Sequence, residues 1–221
     1  MKLFPENASS YGGEVDFIFW LITGVITLAG IIVVFLVLYP LLTKNKKRDK
    51  RLKYVKGTSF KELKLIYLGV LLLALADFFF LYKEGPTWTK IEETLPKQDF
   101  HVVVMGRQWL WEFTYPGPDG KLYTADDVKS INRLYIPVDK VVHLDIQSYD
   151  VIHSVFIPNA RFKQDALPGR NITRWIKMTK TGNFPLTCAE ICGIGHANMK
   201  ATVSVLSQKD FEKTMAKLYK K

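Results

Sequence analysis

The sequence predicts an all-β domain anchored in a membrane by two N-terminal helices, and three observations carry that reading. Two long apolar runs lie within the first 85 residues, a dense basic stretch separates them, and the remainder breaks into short β-branched and aromatic segments. The 221-residue length suits a modest domain plus an anchor, and 48% hydrophobic residues exclude a disordered chain. Two cysteines are too few for a disulfide framework.

The first run, residues 17–43, has no charged side chain. At a rise of about 1.5 Å per residue it exceeds the ~30 Å hydrocarbon core and spans it with some tilt. The second, residues 65–82, holds a single acid, Asp77, near its outer end, at headgroup level. Trp20, Tyr39, Tyr82 and Trp88 stand where interfacial aromatics anchor span ends. A buried core helix is the alternative for either run. The first is too long for the roughly 7–15-residue apolar region of a signal peptide.

The formal charge of +10 would ordinarily raise nucleic acid as a partner, but its distribution argues against that. Residues 44–64 hold ten basic side chains against Asp49 and Glu62. A short loop of this composition stays in the cytoplasm and lies against anionic lipid headgroups. Both termini then face outward. The expected organisation is an outer N-terminal segment over 1–16, a transmembrane hairpin over 17–85 with its cytoplasmic loop at 44–64, and an outer domain over 86–221 that begins with a linker at 86–97.

In that domain residues 101–105, 109–115, 134–138, 141–148, 151–157, 173–180 and 201–206 read as strands, with Gly and Pro between them. Short strands at such spacing, without helical patterns among them, predict a β-sandwich or barrel. Only residues 208–221 read as a helix, with Ser207 as its N-cap.

Residues 187–200 read TCAEICGIGHANMK and place Cys188, Cys192, His196 and Met199 within twelve positions. Thiolate, imidazole and thioether suit copper, whereas Mg and Ca take oxygen ligands. One Cys with His and Met would describe a mononuclear blue-copper site. A second Cys four residues away lets two thiolates bridge two coppers, each capped by a His, with Met on one metal and a backbone carbonyl on the other. Gly193 and Gly195 let such a loop fold tightly. The second imidazole comes from one of the other histidines. His153, in DVIHS, sits where sandwich loops converge, while His101 and His143 alternate with apolar neighbours and read as ordinary strand residues. The alternatives are a disulfide closing a very short loop and a structural zinc site, which gives Met199 no role.

The segment CAEICGIGHANM, with DVIHS upstream, closely resembles the dinuclear CuA motif of cytochrome c oxidase subunit II. GRQWLWEF at 106–113, NRLYIPV at 132–138 and DALPGR at 165–170 resemble further stretches of that family, and two spans precede them as in the family. The resemblance implies a cupredoxin-like Greek-key β-barrel on the periplasmic face of the bacterial inner membrane. It implies copper ligands His153, Cys188, Cys192, His196, Met199 and the Glu190 carbonyl, with the Glu190 side chain at a Mg site shared with subunit I. Trp109 matches the exposed aromatic through which electrons arrive from cytochrome c; the alternative is a core tryptophan, and strand alternation would put Trp111 on the same face. The family accepts electrons from cytochrome c and passes them to haem in subunit I, where oxygen is reduced and protons are pumped. Glu62 is the acid before the second span that would match a proton channel. A membrane-anchored copper chaperone, a nitrous oxide reductase-type CuA domain and a quinol-oxidising relative are the competing readings. Outside the C-terminal tail, with its Lys213, Lys217, Lys220 and Lys221, the outer domain is nearly neutral, which predicts a neutral or acidic donor docking through apolar contacts near Trp109.

Overall fold

The computed structural model describes residues 4–42 and 56–220. Most of the basic loop lies outside the described residues. The chain divides into two compact units, one comprising Asp16–Trp88 and the other Met1–Val15 together with Thr89–Lys221.

The first unit consists mainly of two helices, α1 (Gly12–Leu42) and α2 (Phe60–Trp88). Their most apolar windows have mean hydropathies of 2.9 and 2.3, and neither is buried within the protein. A helix that is apolar on all sides and packs no core is suited to lipid. At the start of α2 the Glu62 carboxylate accepts the Thr58 amide at 3.2 Å, as a residue in the first turn should. The helix outlasts the expected span end. Residues 86–88, read from sequence as linker, form its last turn, and a further helical turn covers Thr89–Glu93.

The second unit is a sandwich of two five-stranded sheets. One runs β3 (Val128–Ile131), β2 (Leu110–Tyr115), β1 (Phe100–Arg107), β5 (Val142–Ser148), β8 (Ile172–Ile176). The other runs β4 (Arg133–Pro137), β10 (Lys200–Leu206), β9 (Gly182–Cys188), β6 (His153–Ile157), β7 (Phe162–Ala166). Alternation places Val102, Val104, Trp111, Phe113, Leu144 and Ile146 of the first sheet between the layers, with Leu134, Ile136, Val155, Leu186 and Val203 of the second. A final helix, α3 (Gln208–Leu218), is capped by Ser207, whose hydroxyl accepts the Asp210 amide at 3.2 Å, and it buries Phe211 and Met215.

Three strands go beyond the sequence reading. The strands β3 and β7 occupy sheet edges and carry the charged residues that suit edges, which hides their alternation. The third, β9, contains Pro185. It pairs with β6 only through Thr187 and Cys188, so Pro185 has a free side where no amide is needed.

The segment before α1 belongs to the sandwich unit. The Ala8 amide donates to Asn159 O and the Thr179 amide to Ala8 O, both at 2.8 Å. Tyr11 meets Trp175 edge-to-face, with ring centroids 5.2 Å apart. The linker reaches the outer face of β5 at the buried His143, while the buried Asp145 is enclosed by Tyr123, Thr173 and His101. The His143 Nε2 bonds Pro96 O at 2.8 Å, and His101 Nε2 stands 3.0 Å from the Asp145 carboxylate. Both histidines therefore have structural partners away from the cysteines.

Candidate metal centre

The sulfur and imidazole residues converge because three strand ends meet at one end of the sandwich. His153 opens β6, Cys188 closes β9, and Met199 immediately precedes β10. The Cys188 amide donates to Met199 O at 3.1 Å and the Ala189 amide to Ser154 O at 3.0 Å, which pins the base of the loop between β9 and β10. Within that loop a single helical turn, His196–Asn198, directs His196 back toward Cys192.

The two cysteines are free thiols with Sγ atoms 3.8 Å apart, well beyond the ~2.05 Å of a disulfide bond. Cys188 Sγ is 3.9 Å from His153 Nδ1 and 3.2 Å from Glu190 O. Cys192 Sγ is 3.6 Å from His196 Nδ1 and 3.7 Å from Met199 Sδ. Each sulfur thus has an imidazole beside it, one side adds a backbone carbonyl and the other a thioether. Burial, reinforced by the neighbouring Cys188 thiol, pushes the Cys192 thiol up to about 11. Metal binding must displace that proton, and a soft cation does so most readily. The donor set, its pairing and its exclusion from water fit copper. The Glu190 carboxylate points elsewhere, 3.7 Å from Lys163 Nζ on the surface.

Trp109 is not part of a strand. Arg107 pairs with Leu110, so Gln108 and Trp109 form the two-residue turn between β1 and β2. The expectation that Trp109 and Trp111 share a face therefore fails: Trp109 is 40% exposed, whereas Trp111 is wholly buried. The indole lies against the cysteine loop and donates from Nε1 to Cys192 O at 3.3 Å. A Cβ on Gly195 would stand only 2.3 Å from Trp109 Cδ2, so glycine permits this contact. Ile191, Ile194, Tyr149 and Ile152 are also exposed, Ile194 completely. An apolar surface therefore overlies the sulfur cluster.

Sequence reading missed two exposed polar residues beside that surface. Asp150 accepts from His153 Nε2 and the Val151 amide on Oδ1, and from the Gln108 amide on Oδ2, each at 2.7 Å. Burial alone would raise its carboxyl, but these bonds outweigh it and hold the group below the usual carboxylate range. The Gln108 side chain donates to Cys192 O at 2.7 Å. The only signal available in the sequence was position: Asp150 stands three residues before a candidate ligand, and Gln108 directly before Trp109.

Residues 100–206 match the family model for the periplasmic domain of cytochrome c oxidase subunit II. The solved periplasmic domain of subunit II (CoxB) from Bradyrhizobium japonicum is 31% identical with a TM-score of 0.52, covering 57% of this chain and 98% of that one. The chain belongs to the cytochrome c oxidase subunit II family. An alternative cytochrome c oxidase subunit 2 from Bradyrhizobium diazoefficiens is 34% identical over 140 residues, 53% of this chain and 50% of that protein. The chain thus spans about half the length of that relative. A subunit 2 from Cereibacter sphaeroides is 28% identical over 238 residues, covering 94% of this chain and 77% of that protein. This family places the sandwich among cupredoxin-like domains, and the two apolar helices make the chain a membrane protein.

Proposed function

We propose that this chain is the electron-accepting subunit of a haem–copper oxidase, receiving electrons from a reduced cytochrome c and delivering them to haem in subunit I. The observation that carries this reading is the paired donor set: two free thiols 3.8 Å apart, each with its own imidazole. His153, Cys188, Cys192, His196, Met199 and the Glu190 carbonyl would hold a dinuclear copper centre. When bound, that pair supplies reversible one-electron acceptance and release.

The chain's own part is positional. The rigid sandwich ends fix Cys188, His153 and Met199, so a change of redox state demands little movement of protein atoms. Burial of both sulfurs excludes water and protects the thiolates from oxidation. Trp109 closes the site toward solvent and offers an aromatic edge to a docking donor, seated in an apolar surface with Ile194 and Tyr149. The nearby charges Arg107, Glu112 and Lys129, and Lys163 with Glu190, are largely self-compensated, which favours a neutral or acidic donor. The part-exposed Glu190 carboxylate would exchange its Lys163 partner for a Mg ion shared with subunit I, and oxygen reduction and proton pumping belong to that subunit. The copper chaperone and nitrous oxide reductase-type readings are disfavoured by the all-β domain and by the two apolar helices respectively.

Chemistry and connectivity support the orientation proposed from the charge distribution. Residues 8–11 bond to the sandwich, so with both helices spanning, the N-terminal strap and the domain share one side. The basic loop then lies on the other, cytoplasmic side, and the domain is periplasmic.

The test is copper loading of the purified full chain followed by metal analysis and EPR. Two coppers per chain with hyperfine structure from both nuclei are expected. One copper with a mononuclear spectrum, or zinc retained against copper, refutes the reading. Trp109→Ala should slow electron transfer from a reduced cytochrome while leaving that spectrum unchanged.

A further inference from the structure

We infer that Asp150 is a positioning residue that couples a copper ligand to the donor-facing turn, fixing the His153 ring and the Gln108–Trp109 hairpin through one carboxylate. The inference rests on the copper reading above, and neither Asp150 nor Gln108 belongs to the ligand set.

An ionised carboxylate only accepts hydrogen bonds, so the 2.7 Å contact from His153 requires the proton on Nε2. That tautomer leaves Nδ1 bare on the side facing Cys188 Sγ, where a metal ligand must be unprotonated. A histidine whose far nitrogen bonds a carboxylate is a stronger and better-oriented donor. The second carboxylate oxygen takes the Gln108 amide, and the Gln108 side chain reaches on to Cys192 O. Trp109 donates to the same carbonyl. A continuous path of hydrogen bonds thus runs from one imidazole, through Asp150, to the turn that presents Trp109, and down to the backbone of Cys192. The turn itself contains no Gly, Pro or Asn to hold its shape. The glycine at 106 completes the arrangement, since a Cβ there would stand 2.8 Å from His153 Cδ2 and push the ring off its carboxylate.

His153 and the Gln108 amide meet different carboxylate oxygens. Asp150→Asn turns one of those oxygens into an NH2 donor, so one of the two loses its acceptor. It also removes a negative charge beside the imidazole, which favours the reduced centre. In the copper-loaded full chain in detergent, Asp150→Asn should weaken copper retention about 10–100-fold. It should also shift the reduced-to-oxidised ratio in a fixed redox buffer toward reduced by about tenfold. Asp150→Glu, which keeps charge and acceptors, should recover much of both. A merely structural role would lower the melting temperature without moving that ratio. A ratio within about twofold of wild type in a folded Asp150→Asn chain overturns the inference. Should that variant not fold, nitrogen NMR of the wild-type chain, labelled at histidine and loaded with Cu(I), decides instead: an Nε2-protonated His153 supports the inference and an Nδ1-protonated ring overturns it. A wild-type chain that takes up no copper overturns both readings, whereas normal loading with an unmoved variant overturns only this one.

Discussion

The contact between Gly195 and Trp109 offers the sharpest test of how the apolar surface over the cysteines is built. A methyl on Gly195 would lie 2.3 Å from Trp109 Cδ2, 2.5 Å from Cγ and 2.8 Å from Cε3. Ordinary carbon contacts lie at about 3.5–4.0 Å, so the overlap exceeds an ångström at its worst point. The atoms met belong to the base of a rigid indole, which has no flexible end to yield. Either the ring lifts from the loop and loses its bond to Cys192 O, or the loop carrying His196 moves. Overpacking of this kind costs about 1–3 kcal/mol. Thermal melts of the sandwich unit in the full chain, followed by near-ultraviolet circular dichroism, measure that cost in Gly195→Ala. Trp109→Ala removes the clashing ring, so the double variant should be more stable than the sum of the single changes implies, by about 1 kcal/mol or more. Additive effects, or a Gly195→Ala chain as stable as wild type, would refute the packing argument.

Three further outcomes are expected. Gly106→Ala should displace His153 from Asp150 and lower copper affinity about 10–100-fold in a chelator competition while the sandwich still melts cooperatively; unchanged affinity would show that the ring tolerates the methyl. Asp145 carries a pH dependence of stability. Burial alone would raise its carboxyl, but bonds from Thr173, His101 and Asn171 outweigh burial and lower it. A carboxyl lower in the folded than in the unfolded state stabilises above its unfolded value of about 3.9, and that contribution is lost as pH falls through the folded value. Melts below about pH 4 should therefore fall less steeply in Asp145→Asn than in wild type, and parallel curves would count against this assignment. Finally, electron transfer from a neutral donor should change less than about threefold between low salt and roughly 0.2 M, because the charges around the apolar surface are compensated. A steep fall would point to an electrostatically steered donor.

The chemistry of the centre was legible because four of its side chains lie within one loop, where spacing along the chain is nearly spacing in space. Cys188, Cys192, His196 and Met199 announce soft-metal chemistry without any fold. His153, far upstream, was legible through its place in DVIHS and through the family resemblance, and the structure accounts for His101 and His143 through Asp145 and Pro96. The central strands were legible through alternation. Edge strands were not, since charged residues serve an edge and erase the pattern.

The sequence by itself determined the two apolar helices, the all-β character of the domain that follows them and the kind of donor atoms available, because composition and local period follow from the chain alone. Tertiary structure decided which tryptophan faces solvent. Alternation assumed that residue 109 continues a strand, but Asp150 and Cys192 O hold a tight turn there that no local residue type signals. It also decided that Asp150 serves His153. A hydrogen bond of 2.7 Å depends on where distant elements bring two atoms together, and that positioning is a property of the packed sandwich rather than of any segment within it.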